Sequence, residues 1–362
     1  MPMRMRSRST SHSNGPNECS MGFDAALTFQ ADFCALNGKP LTARVCRALA
    51  KALDNTSLTG SRALSWPGDP IDDALPLRLV APFHALFRAG RCAALGPLFR
   101  GEAANDVACI AAAVAAHDAE IAGWLDGPPQ TNEPGRSATF MAGLLLAAQR
   151  FGHPFELLEI GSSAGLNLLI DRYRYRLGGV EVGPPDATVT IAPEWRGPPP
   201  PSAQVTIANV RGVDIAPIDV GDAVQAERLL AYVWVDTPER SARVEAGIAM
   251  IRSAPPRLER GDAADWVEAR FGEEQAAGTT RVLLHSIVWQ YLPPAMQARI
   301  TATLEDAGKS ATHERALVWL RFENGWSREV RMTVWPGGED TLIAHAHPHG
   351  TWIEWLAPNA TS

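Results

Sequence analysis

The chain has 362 residues, 46% of them hydrophobic and 20% charged. That length suggests roughly two domains, with a core large enough to stand without disulfides or metals. The net charge of −7 argues against non-specific nucleic-acid binding, which needs cationic side chains to neutralise phosphates, and no uninterrupted apolar run reaches the ~18 residues of a membrane span.

In chain order, residues 1–21 read as a disordered tail rich in Ser, with Arg4, Arg6 and Arg8, and Met21 is a candidate start. The tail lacks the apolar segment of a secretory signal. The cysteines (Cys19, Cys34, Cys46, Cys92, Cys109) are odd in number and lack CxxC spacing, which suits a reducing cytoplasmic setting. Residues 22–128 read as a helical region. Val45, Leu49 and Leu53 recur at helical spacing, as do Leu79, Phe83 and Phe87, then Val107, Ile110, Val114, Ile121 and Leu125. Gly127-Pro128-Pro129 closes that part.

Residues 129–358 change texture. A polar turn, Gln130 to Ser137, leads into an apolar helix from Phe140 to Arg150, and Pro154 to Ile160 reads as a short buried strand. It runs through Gly161-Ser162-Ser163-Ala164-Gly165 into an expected helix from Leu166 to about Tyr175. Thr188–Ala192 is the next strand candidate, and residues 195–255 read as an insertion contributing a lid. Within them, helices are expected around Ala223–Trp234 and Glu239–Arg252. Arg257–Arg260 and Val282–Ser286 follow as strands, then Pro293-Pro294 and a helix to Ala307, with Gly308 as its stop signal. Ala316–Phe322, Glu329–Trp335, Thr341–Ala346 and Thr351–Leu356 are strand-like, with Asn324-Gly325 among the turns between them. Strand–helix alternation closing in an antiparallel meander predicts an α/β fold with a mainly parallel, helix-covered sheet.

The glycine loop carries the chemistry. Small residues between a buried strand and a helix let a ligand approach the backbone. A dinucleotide site would want G-x-G-x-x-G, which is not met. Gly161 to Gly165 does satisfy the G-x-S-x-G of a nucleophile elbow, with Ser163 as nucleophile, Asp262 or Asp340 as acid and His349 as base. The strands and the His-Gly-Gly-Gly segment expected upstream of an elbow are missing. The third class is S-adenosylmethionine binding, in which Glu159 ends the first strand and Gly161, Ser162, Ser163, Gly165 and Asn167 cradle the cofactor. Glu194 is then expected at the ribose hydroxyls and Asp262 at the adenine amine. Asn132 and Arg136 would cover the cofactor's carboxylate, Arg136 by a bidentate pair.

The run from Leu157 to Tyr173, Gln130-Thr131-Asn132-Glu133, Asp262-Ala263-Ala264-Asp265-Trp266, His285 to Leu292, Trp335-Pro336-Gly337-Gly338 and Pro348-His349-Gly350 resemble a bacterial family of uncharacterised proteins, domain of unknown function 2332. That family is similar to class I methyltransferases, and the resemblance implies a Rossmann-like, methyltransferase-type sheet. Ser163 replaces the middle glycine of the usual methyltransferase loop. His285 follows the strongest strand and is expected to accept a substrate proton, with Gln290 and Tyr291 orienting the acceptor. His345, His347 and His349 alternate, but Pro348 and Gly350 favour a turn, so no metal is expected.

The expectation is therefore a cytoplasmic protein that binds S-adenosylmethionine and methylates a small molecule, with neither nucleic acid nor membrane as partner. The alternatives are a non-catalytic cofactor-binding or regulatory module and a serine hydrolase using Ser163.

Overall fold

The computed structural model describes residues 21–323 and 328–357; the N-terminal tail and the Asn324-Gly325 turn lie outside them. Contacts divide the chain into two compact units at the Pro129–Gln130 bond.

The first unit is helical: α1 (Phe23–Leu36), α2 (Pro40–Ala52), α3 (Leu58–Leu64), α4 (Leu75–Arg88), α5 (Gly96–Phe99) and α6 (Asp106–Ala122). The stripes seen in the sequence form its core. Val45, Leu49, Leu79, Phe83, Ile110 and Ile121 are fully buried. The side chains of Ser57 and Asn105 accept the N–H groups of Gly60 and Ala108, which caps α3 and α6. Asp106–Asp126, α6 and the turn after it, is long and apolar enough to cross a membrane by length and composition, with mean hydropathy 1.3. Much of that apolar content is exposed alanine (Ala111, Ala112, Ala115, Ala116, Ala119). Its polar groups are engaged within the unit: the Asp118 carboxylate accepts the Leu58 and Thr59 N–H groups, and Asp126 pairs with Arg62. Cys34, Cys46, Cys92 and Cys109 all belong to this unit, and none of them is in a disulfide.

The second unit begins with α7 (Ser137–Phe151) and β1 (Phe155–Ile160). Five further strands follow: β2 (Arg174–Leu177), β3 (Val180–Val182), β4 (Thr190–Ile191), β5 (Glu194–Arg196) and β6 (Ile207–Asp214). Then come α8 (Ala223–Ala231), α9 (Pro238–Ser253), β7 (Arg257–Arg260), α10 (Ala263–Phe271), β8 (Thr279–Ser286) and α11 (Pro294–Lys309). The chain closes with β9 (Arg315–Glu323), β10 (Glu329–Trp335), β11 (Glu339–Ala346) and β12 (Trp352–Trp355).

Nine strands make one sheet in the order β5-β12-β11-β10-β9-β8-β1-β6-β7. From β7 to β9 all neighbours run parallel, while β9, β10, β11 and β12 are successively antiparallel. The architecture is thus mixed α/β, mostly parallel at its centre, with antiparallel C-terminal strands. Leu157, Leu284, Val318 and Leu320 face a core shared with α7, α8, α9 and a small sheet, β3-β2-β4. Leu158, Leu283 and Leu317 face the other way, towards Val267 of α10 and Ile300 and Leu304 of α11. The chain leaves β1 for β6 and β7, then returns to β8 on the other side of β1. Between β1 and β8 the winding reverses, and open sheets of this kind bind ligands beyond the carboxyl ends of strands at such a point.

Three sequence expectations are corrected. The helix expected from Leu166 is one short turn, Leu166–Leu169, before β2. Tyr173, Tyr175 and Leu177 alternate into the core, and Gly178 and Gly179, both at positive φ, turn the chain back. Thr188–Ala192 supplies β4 of the small sheet and not the neighbour of β1. Nor is 195–255 an insertion, because it contains β6, the strand paired to β1.

Candidate functional site

The loop after β1 is built around two glycines and a serine in glycine-like conformation. Gly161 has φ +68°, and a Cβ there would overlap the side chain of Val288. Ser163 has φ +55°, and Gly165 has φ +83°. Left-handed backbone is costly for serine, so the fold holds Ser163 there by other means. Its N–H donates to Oδ2 of Asp214 at 2.8 Å and its carbonyl accepts the Ile218 N–H at 3.1 Å. Ser162 is fully buried, its hydroxyl donating to the Glu159 carbonyl at 3.2 Å.

Three buried polar atoms around this loop lack a partner: Oε2 of Glu159, Oγ of Ser163 and Oδ1 of Asn167. Burial pushes the Glu159 carboxyl up to about 7, opposed by the neighbouring Ser162 and Asn167 side chains, while Asp214 adds to the rise and Arg136 works against it. Buried polar atoms are normally satisfied, so three such atoms between Glu159 and Asn167 single this loop out among the described residues.

The acids expected to meet there do so only in part. Asp262 stands just after β7 and caps α10, its Oδ1 accepting the Ala264 and Asp265 N–H groups at 2.9 and 3.1 Å. Glu194 does not reach the crevice. It lies on β5, at the far edge of the sheet, exposed and paired to Arg196. Its ribose assignment is therefore withdrawn. The acid at the end of the strand beside β1 is Asp214, which receives the Ser163 and Ala216 N–H groups, each at 2.8 Å. The sequence signal was slight, since the run Ile207 to Asp214 mixes Asn209 and Arg211 with its apolar residues before ending in an acid.

His285 is fully buried at the end of β8, and both its ring nitrogens are in use. The indole N–H of Trp319 donates to Nε2 at 2.9 Å, and Nδ1 lies 2.6 Å from Oε1 of Glu323. Because an indole can only donate, Nε2 is the acceptor and the proton sits on Nδ1, towards Glu323. The expectation that His285 takes a substrate proton is corrected accordingly. Glu323, missed in the sequence, also accepts the Val288 and Trp289 N–H groups at 3.2 Å. It thereby holds a turn in which Ile287 has φ +51°, an outlier for a β-branched residue. Gln290 and Tyr291 follow on that turn and are exposed.

The Gln130–Ser137 segment is a buried bracket. Asn132 accepts the Leu166 N–H at 2.7 Å and so anchors the end of the glycine loop. Glu133 is 1% exposed and pairs with Arg240 at 2.6 Å and Arg243 at 2.7 Å. Arg136 is buried, and Nε donates to the Pro348 carbonyl at 2.8 Å. Burial draws its pKa down, with Glu133 and Glu323 opposing and Arg240 adding to the fall.

Residues 24–355 match the bacterial family described as "Uncharacterized protein conserved in bacteria" (DUF2332). The chain belongs to this family. No curated protein and no solved structure matches it.

In this DUF2332 chain the carboxyl edges of β1, β6 and β7 and the turn after β8 enclose a cavity of about 200 Å³. Gly161, Asp214, Asp262, Val288 and Tyr291 line it. The elbow reading loses its chemistry here. The Ser163 hydroxyl is buried without a hydrogen-bond partner, so no imidazole activates it. Asp262 is occupied as a helix cap and Asp340 by Arg321, Arg331 and Thr333. His349 packs edge-on against Trp234, and its N–H donates to His347 Nδ1. Among the described residues, the group with geometry for a metal is His153, His313 and Glu314, on loops leading into the amino ends of β1 and β9.

Proposed function

We propose that the second unit of this protein binds S-adenosylmethionine and transfers its methyl group to a small-molecule acceptor. One observation carries the reading: a nucleoside-sized cavity at the point where the winding reverses, with Gly161, Asp214 and Asp262 on its wall, Gly161 belonging to the loop that holds the orphaned Ser163 hydroxyl. Asp214 would take the ribose hydroxyls, since each of its oxygens accepts only one N–H and has a lone pair to spare. Asp262 would take the adenine amine through Oδ2, Oδ1 being the oxygen used for capping. Glu159, poised near neutrality, would ionise beside the cationic methionine end.

When bound, the cofactor supplies an electrophilic methyl carbon on a cationic sulfur. The chain's part is to hold donor and acceptor in line and to exclude water, since orientation supplies much of the acceleration in such displacements. His285 acts as a positioning residue: through Glu323 it fixes the turn that carries Val288 and Tyr291 into the cavity wall. Two features depart from the usual methyltransferase loop. Ser163 stands at the middle glycine, and a single short turn follows where a helix is usual. The first narrows the space beside the cofactor, and the second removes a helix N-terminus from it.

Titration calorimetry with S-adenosylmethionine tests the reading. Binding that is weakened at least tenfold in Asp214→Asn is the expected result, and absence of heat at millimolar cofactor overturns it. Binding without transfer across a broad acceptor screen would leave a cofactor-binding module instead.

A further inference from the structure

Strand β9 alternates: Leu320 and Phe322 enter the core on one face, while Trp319, Arg321 and Glu323 stand on the other. With Trp289 and Arg331 these three line a cavity of about 500 Å³, within the size range of small-molecule pockets. Thr301 of α11 completes the lining, so the cavity lies between this face of the sheet and that helix.

The cavity has an aromatic wall and a wall of mixed charge, Arg321 and Arg331 beside Glu323 and Glu329. The Trp289 ring stacks on His285 with centroids 5.1 Å apart and lies 5.6 Å from Trp319. The Arg321 guanidinium sits 4.1 Å over the Trp319 ring. Its acids are already engaged: Glu323 by His285 and two backbone N–H groups, Glu329 by Arg331 at 3.3 Å. Arg321 and Arg331 both lean on one carboxylate, Asp340, which is not part of the lining. What the cavity offers a ligand is therefore a flat π surface bordered by guanidinium donors.

We propose that this cavity binds a flat aromatic carboxylate, its ring against Trp289 and Trp319 and its acid group at Arg331 and Arg321. Resting on the methyl-transfer reading, the bound aromatic acid is the acceptor. The Val288–Trp289 turn joins the two sites, Val288 lining the nucleoside-sized cavity and Trp289 this one. A heteroatom lone pair of the acid forms the bond to the methyl carbon as the carbon–sulfur bond breaks. The bonding pair goes to sulfur, and any proton on the heteroatom goes to water.

The full-length protein, without S-adenosylmethionine, is titrated with 2-naphthoate, with cyclohexanecarboxylate, which lacks the ring, and with 2-(aminomethyl)naphthalene, which reverses the charge. Naphthoate should bind at least tenfold more tightly than either. Trp319→Ala and Arg331→Gln should each cost at least tenfold. Arg331 is partly exposed, so its variant folds even if the tryptophan variant does not. Equal binding of the amine, or naphthoate affinity unchanged in Arg331→Gln, overturns the proposal. Naphthoate binding in a protein with no affinity for S-adenosylmethionine upholds the aromatic site and overturns its role as acceptor site.

Discussion

Nδ1 of His285 lies 2.6 Å from Oε1 of Glu323, and this contact ties the end of β8 to the end of β9. The same carboxylate accepts two N–H groups of the turn that forms a wall of both cavities. Glu323→Gln keeps the shape but replaces a charged acceptor with a neutral amide. Hydrogen bonds to charged groups are worth more than neutral ones, so the substitution should lower stability by about 1–2 kcal/mol. Urea denaturation measures it, and a loss within error of zero would show that the turn holds itself.

Much of this fold was legible in the sequence because its helical stripes and its strongest strands carry simple periodicities. Glu329–Trp335 matches β10. The site was harder to read, for two physical reasons. The small sheet β2-β3-β4 separates β1 from β6, so the acid beside the loop comes 55 residues after Glu159, and the nearer Glu194 drew the assignment. The fate of His285 depends on Trp319 and Glu323, which only the pairing of β8 with β9 brings alongside. Spacing along a chain does not record which strands become neighbours.

Glu159 makes a pH prediction whose sign is fixed. Its folded carboxyl is held up at about 7, above the ordinary value of 4.5, so it contributes stability that is full below the ordinary value. That contribution is lost as pH rises through about 7, and amounts to roughly 3 kcal/mol. Glu159→Gln should therefore flatten the fall in melting temperature between pH 5 and pH 8. The same carboxyl must ionise to meet a cation. Binding of S-adenosylmethionine below pH 7 should release a proton, seen as a dependence of calorimetric heat on the ionisation enthalpy of the buffer. A variant and wild type with parallel pH profiles would remove Glu159 from this role.

Ser163 separates two chemistries. Its φ of +55° and partnerless hydroxyl both cost stability where it stands, so Ser163→Gly should be neutral or stabilise by about 1 kcal/mol. Cofactor binding should persist in that variant, because glycine widens the loop. A nucleophile would behave oppositely: fluorophosphonate labelling of wild type that vanishes in Ser163→Gly would restore the hydrolase.

Asp214 and Glu194 offer a paired comparison. Asp214 sits at the cavity and Glu194 at the far edge of the sheet. Asp214→Asn should weaken S-adenosylmethionine at least tenfold, while Glu194→Gln leaves affinity unchanged within twofold. Titration of the two variants side by side decides it, and the reverse ranking would reinstate the sequence-based ribose assignment.

The bracket of Glu133, Arg240 and Arg243 makes the strongest stability prediction. Burial pushes the Glu133 carboxyl up, but Arg240 and Arg243 together overcome it and leave the group below its ordinary value. In the wild type, then, this carboxylate's contribution is present above that ordinary value and disappears as pH falls through the lowered one. Arg240→Met leaves a nearly inaccessible charge with Arg243 and the Gly135 N–H to meet it, and breaking a buried pair typically costs about 3–5 kcal/mol. Arg243→Met should cost less, because its side chain is 16% exposed and water can replace part of what it supplied. The Arg240→Met carboxyl should also rise, so stability that the wild type gains with increasing pH should turn into stability lost. Pairing Arg240→Met with Glu133→Gln removes the stranded charge and should recover part of the loss. Denaturation of the three variants at pH 5 and pH 8 tests both magnitude and sign, and equal losses for the two arginines would mean that burial does not set their weight.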